Sequence, residues 1–238
     1  MFGTTFNSLH SYEDFGFRVT MRIIGTPSKI KVIERIPHSN QIFDFSTISG
    51  GQEYTERELT YRYNFDHENK IALDSNMTAF INHLFQPQNQ VVFRDDNIPN
   101  YFFLAEVRDS IDDFERRFRK TLTVTYTCYP FRIADNIEGT DIWDTFNFLL
   151  DTAQDVLFHL DGNSQVCSLI NAGAVITRPV ITTTMDNVTI VTNNETFVLE
   201  KAGEHSMPDL VLFPGQNELT ISSPNAGTVH FGFRRELI

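Results

Sequence analysis

Residues 121–128 read Thr-Leu-Thr-Val-Thr-Tyr-Thr-Cys. Polar and apolar side chains alternate without a break, and an extended strand is the conformation that sends successive side chains to opposite faces. Leu122, Val124, Tyr126 and Cys128 therefore share one face, and Thr121, Thr123, Thr125 and Thr127 the other. Pro130 closes the run, because proline has no N–H to give to a ladder. The same period sets Leu59, Tyr61, Tyr63 and Phe65 against Glu58, Thr60, Arg62 and Asn64. It returns near the end of the chain, where Val229, Phe231 and Phe233 oppose His230, Gly232 and Arg234. A chain with this period in three distant places builds sheets with one face buried. The 22 phenylalanines agree, since aromatic rings suit a pleated, half-buried surface.

Shorter extended segments fill the spaces between. Phe15, Phe17 and Val19 share one parity, and Ile30 and Val32 (with Glu34) form a second strand. Further strands are expected at 42–45, 91–94 and 101–107, with a turn over 95–100. Ser49-Gly50-Gly51-Gln52 reads as a flexible loop. One helix interrupts the pattern: Ser75 is its expected N-cap, and Pro87 marks its end. Met77, Phe80, Ile81, Leu84 and Phe85 make its apolar stripe, which reads as core packing.

Alternation lapses over 134–141, and 135–139 reads as a linker. The expected organisation is two domains, 1–133 and 134–238, and 238 residues suit one large or two small domains. The fold class is mainly β: a β-rich first domain with one short helix, then an all-β sandwich. Its strands are expected at 156–160, 165–170, 179–184, 188–192, 196–200, 210–213, 218–222 and 228–234, with a tight turn at Asn193-Asn194.

The formal net charge of −12 argues against a protein that binds nucleic acid by neutralising phosphates. A negative surface does allow DNA to pass without adsorbing. The two cysteines, Cys128 and Cys167, are too few for a disulfide framework, and a buried thiol is the expectation for Cys128. The N-terminal stretch has no basic region followed by an apolar one, so no signal peptide is expected. No window reaches ~18 uninterrupted apolar residues, so no membrane-spanning helix is expected either. The expected compartment is the reducing cytoplasm.

Motifs for chemistry are missing. His10, His38, His67, His83, His159, His205 and His230 show no metal-ligand spacing, and His83 is expected at the surface or its boundary. There is no nucleophile elbow and no phosphate-binding glycine loop. Asp112-Asp113 and Asp141/Asp144 could be nominated as a glycosidase pair, but they read equally as a solvated acidic surface. The chain is expected to be no enzyme and to need no metal or cofactor. The basic run Arg116-Arg117-Phe118-Arg119-Lys120 is the one positive cluster. It reads either as a solvated strand start or as a patch that pairs with acidic surface on a neighbouring subunit. Trp143 reads as a packing residue beside Phe146 and Phe148, or else as a sugar-stacking platform.

The order of these pieces resembles the distal tail proteins of phages with long, non-contractile tails. Phe6-Asn7-Ser8 and Asp14-Phe15-Gly16 open it; Asp44-Phe45-Ser46 precedes the glycine loop, and Tyr54, Arg57 and Leu59 follow. Asn97-Ile98-Pro99-Asn100-Tyr101-Phe102 and the run from Thr123 through Tyr129-Pro130-Phe131-Arg132 come next. Asn171-Ala172-Gly173, Phe213-Pro214-Gly215-Gln216-Asn217-Glu218-Leu219 and Phe231-Gly232-Phe233-Arg234-Arg235-Glu236-Leu237 complete it. The resemblance implies an N-terminal domain that builds a homohexameric ring around a channel, and a galectin-like C-terminal sandwich. It implies a structural, non-catalytic hub at the virion's tail tip, assembled in the host cytoplasm. Its partners would be the tail tube protein and tape-measure protein above, the tail-associated fibre or lysin protein below, and receptor-binding proteins on the outer domain. DNA would pass the channel unbound. Gly50, Gly51 and Gln52, with Arg116, Arg117, Arg119 and Lys120, are the candidate subunit contacts. A carbohydrate-binding module for host attachment, with Trp143 in the site, is the alternative.

Overall fold

The computed structural model describes residues 2–48, 51–116, 118–139, 152–192 and 195–238, with the backbone alone over 111–116. Two compact units divide the chain, one of Met1–Ile133 and one of Ala134–Leu237.

The first unit is built from β1 (Thr4–Phe6), β2 (Leu9–His10), β3 (Arg18–Ile24), β4 (Ile33–Arg35), β5 (Ile42–Asp44), β6 (Arg57–Asp66), α1 (Lys70–Phe85), β7 (Val91–Asp95), β8 (Tyr101–Arg116) and β9 (Arg119–Cys128). The sheet order runs β2-β1-β7-β8-β9-β6-β3, so β3 and β2 end this path. Every pairing along it is antiparallel. The central ladder joins β6 to β9 in continuous register from Arg57↔Cys128 to Asp66↔Arg119. That register places Tyr61 beside Val124 and Tyr63 beside Leu122, all of them fully buried, as the alternation requires.

The helix covers this face. Asn69 caps it, its side-chain Oδ1 accepting the Ile71 N–H at 2.9 Å, six residues before the expected Ser75. Both residue types cap well, and the deciding fact is Leu73: it is buried four residues before Met77, so the stripe begins a turn earlier. Leu73, Met77, Phe80 and Leu84 face the sheet, and the Phe80 ring stacks on Phe17 at 4.5 Å. Phe85 lies outside the stripe and is half exposed. His83 is buried rather than at the surface, donating Nε2–H to the Phe6 carbonyl at 2.8 Å and stacking on Phe15. Phe15 itself belongs to a turn before β3; Gly16 there takes φ +78, and a Cβ would meet the Phe65 ring.

The boundary falls within β10 (Arg132–Ala134). The second unit continues with β11 (Leu157–Asp161), β12 (Ser164–Asn171), β13 (Val180–Thr183), β14 (Val188–Val191), β15 (Thr196–Leu199), β16 (Gly203–Ser206), β17 (Gly215–Ser222), β18 (Ala226–Gly232) and β19 (Glu236–Leu237). Two four-stranded antiparallel sheets form, β11-β18-β13-β16 and β12-β17-β14-β15. Phe158, Ile181, Val229 and Phe231 of the first pack with Leu169, Val188, Ile190, Leu219 and Ile221 of the second in one buried cluster. This is a β-sandwich.

Two expectations are corrected here, and one strand is added. The 210–213 segment makes no strand; Leu212 joins Thr177 by one isolated bridge, and Leu210 and Leu212 are buried as core without a ladder. The polar β16 was unforeseen, because Gly203-Glu204-His205-Ser206 carries no apolar period. The 135–139 segment is no free linker. Glu138 donates its N–H to the Phe233 carbonyl at 2.9 Å, and its buried carboxylate lies 3.1 Å from the buried Arg235 guanidinium. Asn193-Asn194 lies outside the described residues, though Val191↔Thr196 pairing brings β14 and β15 together on either side of it.

Candidate assembly surface

Between β3 and β6 the chain leaves the sheet and returns as an arm. At its base Gly25 donates to the Glu58 carbonyl at 2.9 Å, and a Cβ on Gly25 would fall 2.7 Å from that oxygen. Further out, Lys29 bridges Tyr54, Ile30 donates to Glu53 at 2.9 Å and Thr55 to Ser28 at 2.8 Å. Phe45 donates to Val32 at 2.9 Å, and β4 pairs with β5 as a sheet of two strands alone.

A two-stranded ribbon has no second layer to bury a face, and it is marginal by itself in water. This one is nonetheless apolar. Ile30, Val32, Ile33, Ile36, Ile42, Phe43, Phe45 and Ile48 are all well exposed, with Ile48 at 78% and Ile42 at 54%. Consecutive residues are exposed together, Val32 with Ile33 and Ile42 with Phe43, so both faces of the ribbon are apolar. Sheet-edge strand β3, from which the arm leaves, also exposes Ile23, at 56%. Large exposed apolar patches on soluble proteins are commonly surfaces buried on association, and edge strands offer unpaired backbone.

Polar groups tie the two legs of the ribbon together. Lys31 Nζ lies 2.8 Å from Asp44 Oδ2, and Ser46 N–H donates to Asp44 Oδ1 at 2.9 Å. The Lys31 hydrogen bond, followed by that of the Ser46 hydroxyl, holds the Asp44 carboxyl well below the usual carboxylate range. Phe43 and Phe45 stack at 6.2 Å.

The residues nominated from sequence fall in different places. Gly50 lies outside the described residues. Gly51 is open to substitution, since a Cβ there meets nothing. Gln52 braces the arm from within, donating Nε2–H to the Ile30 carbonyl at 2.7 Å and to Glu53 at 2.8 Å. Arg117 lies outside the described residues, as does the Arg116 side chain. Arg119 pairs with Asp66 at 2.5 Å, which raises the guanidinium's proton affinity. Lys120 is buried and bonded to Asp74 of α1. The acids facing these two cations belong to the same chain. Trp143 and the Asp141/Asp144 pair lie outside the described residues, and so do the Asp112 and Asp113 side chains. What sequence reasoning missed is the arm; its signal was apolar residues on both parities between Pro27 and Gly51.

Among the described residues, no group of three His, Cys, Asp or Glu stands close enough to hold a metal ion. Among the same residues, no helix is long and apolar enough to cross a membrane. Cys128 and Cys167 are free and buried, and burial pushes their thiols up to about 12 and about 11.

Taken together, fold and surface define a two-unit, mainly β chain whose first unit carries an arm with exposed apolar side chains. No family model matches the sequence, and no curated protein matches it. A solved structure does: the Dit protein of phage SPP1, described as a paradigm of the hub adsorption apparatus in phages infecting Gram-positive bacteria. The likeness covers 100% of both chains at a TM-score of 0.68 with 11% identity, so the two share a fold from end to end. A weaker likeness is to the phage P2 baseplate in its activated conformation with Ca, at a TM-score of 0.42 and 10% identity over 98% and 97% of the chains.

Proposed function

We propose that this chain is a structural hub subunit of a phage tail tip, in the manner of the distal tail proteins its sequence resembles. The observation that carries the reading is the end-to-end fold likeness to a hub protein, both units included. In this reading residues 1–133 are the ring-forming domain, and six copies close around a channel through which DNA passes unbound. A closed ring needs a heterologous contact, one surface on each copy meeting a different surface on the next. The arm and β3 supply one such surface. The C-terminal sandwich, galectin-like in this reading, faces partners. The ring joins the tail tube and tape-measure end to the fibre or lysin protein, in the virion, after assembly in the host cytoplasm. The role is architectural and non-enzymatic.

The test is light scattering at rising protein concentration, combined with negative-stain images. Six-fold rings with a central hole are the expected result. A chain that stays monomeric at every concentration, with its tail-tip neighbours added, overturns the reading. Saturable glycan binding by that monomer would favour the carbohydrate-binding alternative.

A further inference from the structure

The buried face of β6 does not begin with an apolar residue. Its inward positions are Arg57, Leu59, Tyr61, Tyr63 and Phe65, and Arg57 is only 3% exposed. The Arg57 guanidinium lies over the Phe103 ring at 5.5 Å, and the Arg132 guanidinium lies over the Tyr101 ring at 5.2 Å. Tyr101 and Phe103 are both buried and stand two residues apart on β8. That spacing sends both rings to one face of the strand, about 7 Å apart. Two neighbouring rings thus hold two cations side by side, and all four residues belong to the first unit.

The two charges lack a counter-charge. Both Nε atoms are buried without a hydrogen-bond partner, and among the described residues no carboxylate forms an ion pair with either guanidinium. Glu56 and Glu106 act on the thiol of Cys128, which sits opposite Arg57 in the ladder, but both acids are exposed and neither bonds to Arg57 or Arg132. The Arg57 guanidinium is held below its ordinary value, first by burial and then by the charge of Arg132, so the two repel. A lysine in this place could shed its proton; an arginine cannot, and both charges persist. A ring face attracts a cation but leaves its N–H groups without an oxygen to accept them. An oxyanion answers both deficits at once, because its oxygens accept from several N–H groups and its charge offsets the repulsion.

We infer that Arg57 and Arg132 form a receptor for one oxyanion, a carboxylate or a phosphate group, seated between their guanidiniums beside Tyr101 and Phe103. Because Arg57 shows so little surface, the occupant is a small anion or the tip of a side chain. The receptor lies within a single copy of the chain and does not rest on ring formation.

The experiment uses the full chain, labelled with 15N-arginine. Inorganic phosphate and acetate are each titrated against chloride at equal ionic strength. The Nε–H resonances of Arg57 and Arg132 are expected to shift saturably with an oxyanion and not with chloride. At about ten times the dissociation constant, the melting temperature should rise by roughly 3 °C or more. A response to phosphate alone assigns the site to phosphate groups and a response to acetate alone to carboxylates; either supports the inference. Arg57→Met keeps the length and removes the charge. It is expected to melt no lower than the unaltered chain in chloride, since the repulsion is gone, and to lose the response to the anion. Arg132→Lys keeps the charge and loses the fork, and should bind about tenfold more weakly or worse. No response of the unaltered chain to either anion overturns the inference. So does an Arg57→Met chain that responds as before, or an Arg132→Lys chain that binds as tightly as the original.

Discussion

Both units bury apolar side chains by the strand period, and they differ in what happens where that period is not obeyed. In the sandwich, exposed apolar residues alternate with buried neighbours on the same strand: Val166 beside Cys167, Val180 beside Ile181, Val198 beside Leu199. Those are the ordinary outward positions of half-buried strands. In the arm of the first unit, Val32-Ile33 and Ile42-Phe43 are exposed in pairs. Alternation cannot explain both members of a pair, because only one of them faces inward in any strand. Among the described residues, the arm therefore carries paired apolar exposure that alternation does not account for, as it does for those three pairs of the sandwich.

The strongest way to break this contrast is to make the arm polar. Ile33→Ser together with Phe43→Ser removes two side chains that would be buried on association, each worth about 1.5–3 kcal/mol. Assembly is expected to weaken by at least a hundredfold, read by sedimentation. The monomer's thermal stability should move by no more than about 0.5 kcal/mol. If the doubly altered chain assembles as well as the original, the arm is not the associating surface.

The sandwich should respond in the opposite way. Glu138 and Arg235 form a buried ion pair, and neutralising one partner strands the other charge away from water. Glu138→Gln is expected to cost about 3–5 kcal/mol. Hydrogen exchange should speed up at the Val229 and Leu219 amides while Tyr61 in the first unit keeps its protection. Equal loss at Tyr61 would mean that the two units unfold as one and that the contrast between them is not energetic.

Within the first unit the helix offers an internal control. Leu84 is buried against the sheet and Phe85, its neighbour, is half exposed. Leu84→Ala is expected to cost about 2–5 kcal/mol, and Phe85→Ala no more than about 0.5 kcal/mol. Denaturant midpoints measure both. A large cost at Phe85 would mean that it packs against something in solution, a second copy being the first to examine.

That pair also marks how far the sequence could be read. The alternating strands over 57–66 and 119–128 were legible because register and burial follow one local period, and Tyr61, Tyr63, Val124 and Tyr126 are all fully buried. The helix was legible as a stripe but not at its margins. Ser75 and Asn69 both offer capping oxygens, and only the burial of Leu73 chooses between them. His83 was placed wrongly because its partner, the Phe6 carbonyl, is 77 residues away in sequence. The candidate contacts fared differently again. Gln52 lies on the arm, yet its amide is engaged within it. Lys120 of β9 meets Asp74 of α1, a pairing that no local pattern announces. The exposed arm was the least legible, since a run of Ile, Val and Phe looks like core until the fold leaves it without a second layer.

The smallest expected effect concerns acid, and it sharpens the comparison because it should touch the arm alone. Asp44 is held below the ordinary carboxylate value of 3.8, first by the Lys31 hydrogen bond and then by Ser46. A carboxyl depressed in the folded state stabilises that state above its unfolded pKa, and the contribution fades as pH falls toward the folded one. Arm protection should thus be flat from neutral pH down to about 5 and decline below the ordinary carboxylate value. The amides to follow are Val32, which donates to the Ser46 hydroxyl at 2.9 Å, and Phe45, which donates to Val32. Because Asp44 is exposed, the decline should be modest and should shrink further in salt. Asp44→Asn keeps the shape and removes the charge, so its arm should be less protected at neutral pH and indifferent to acid over the same window. An unaltered acid decline in that variant would assign the effect to other carboxylates and leave Lys31–Asp44 as a contact without a role in holding the arm together.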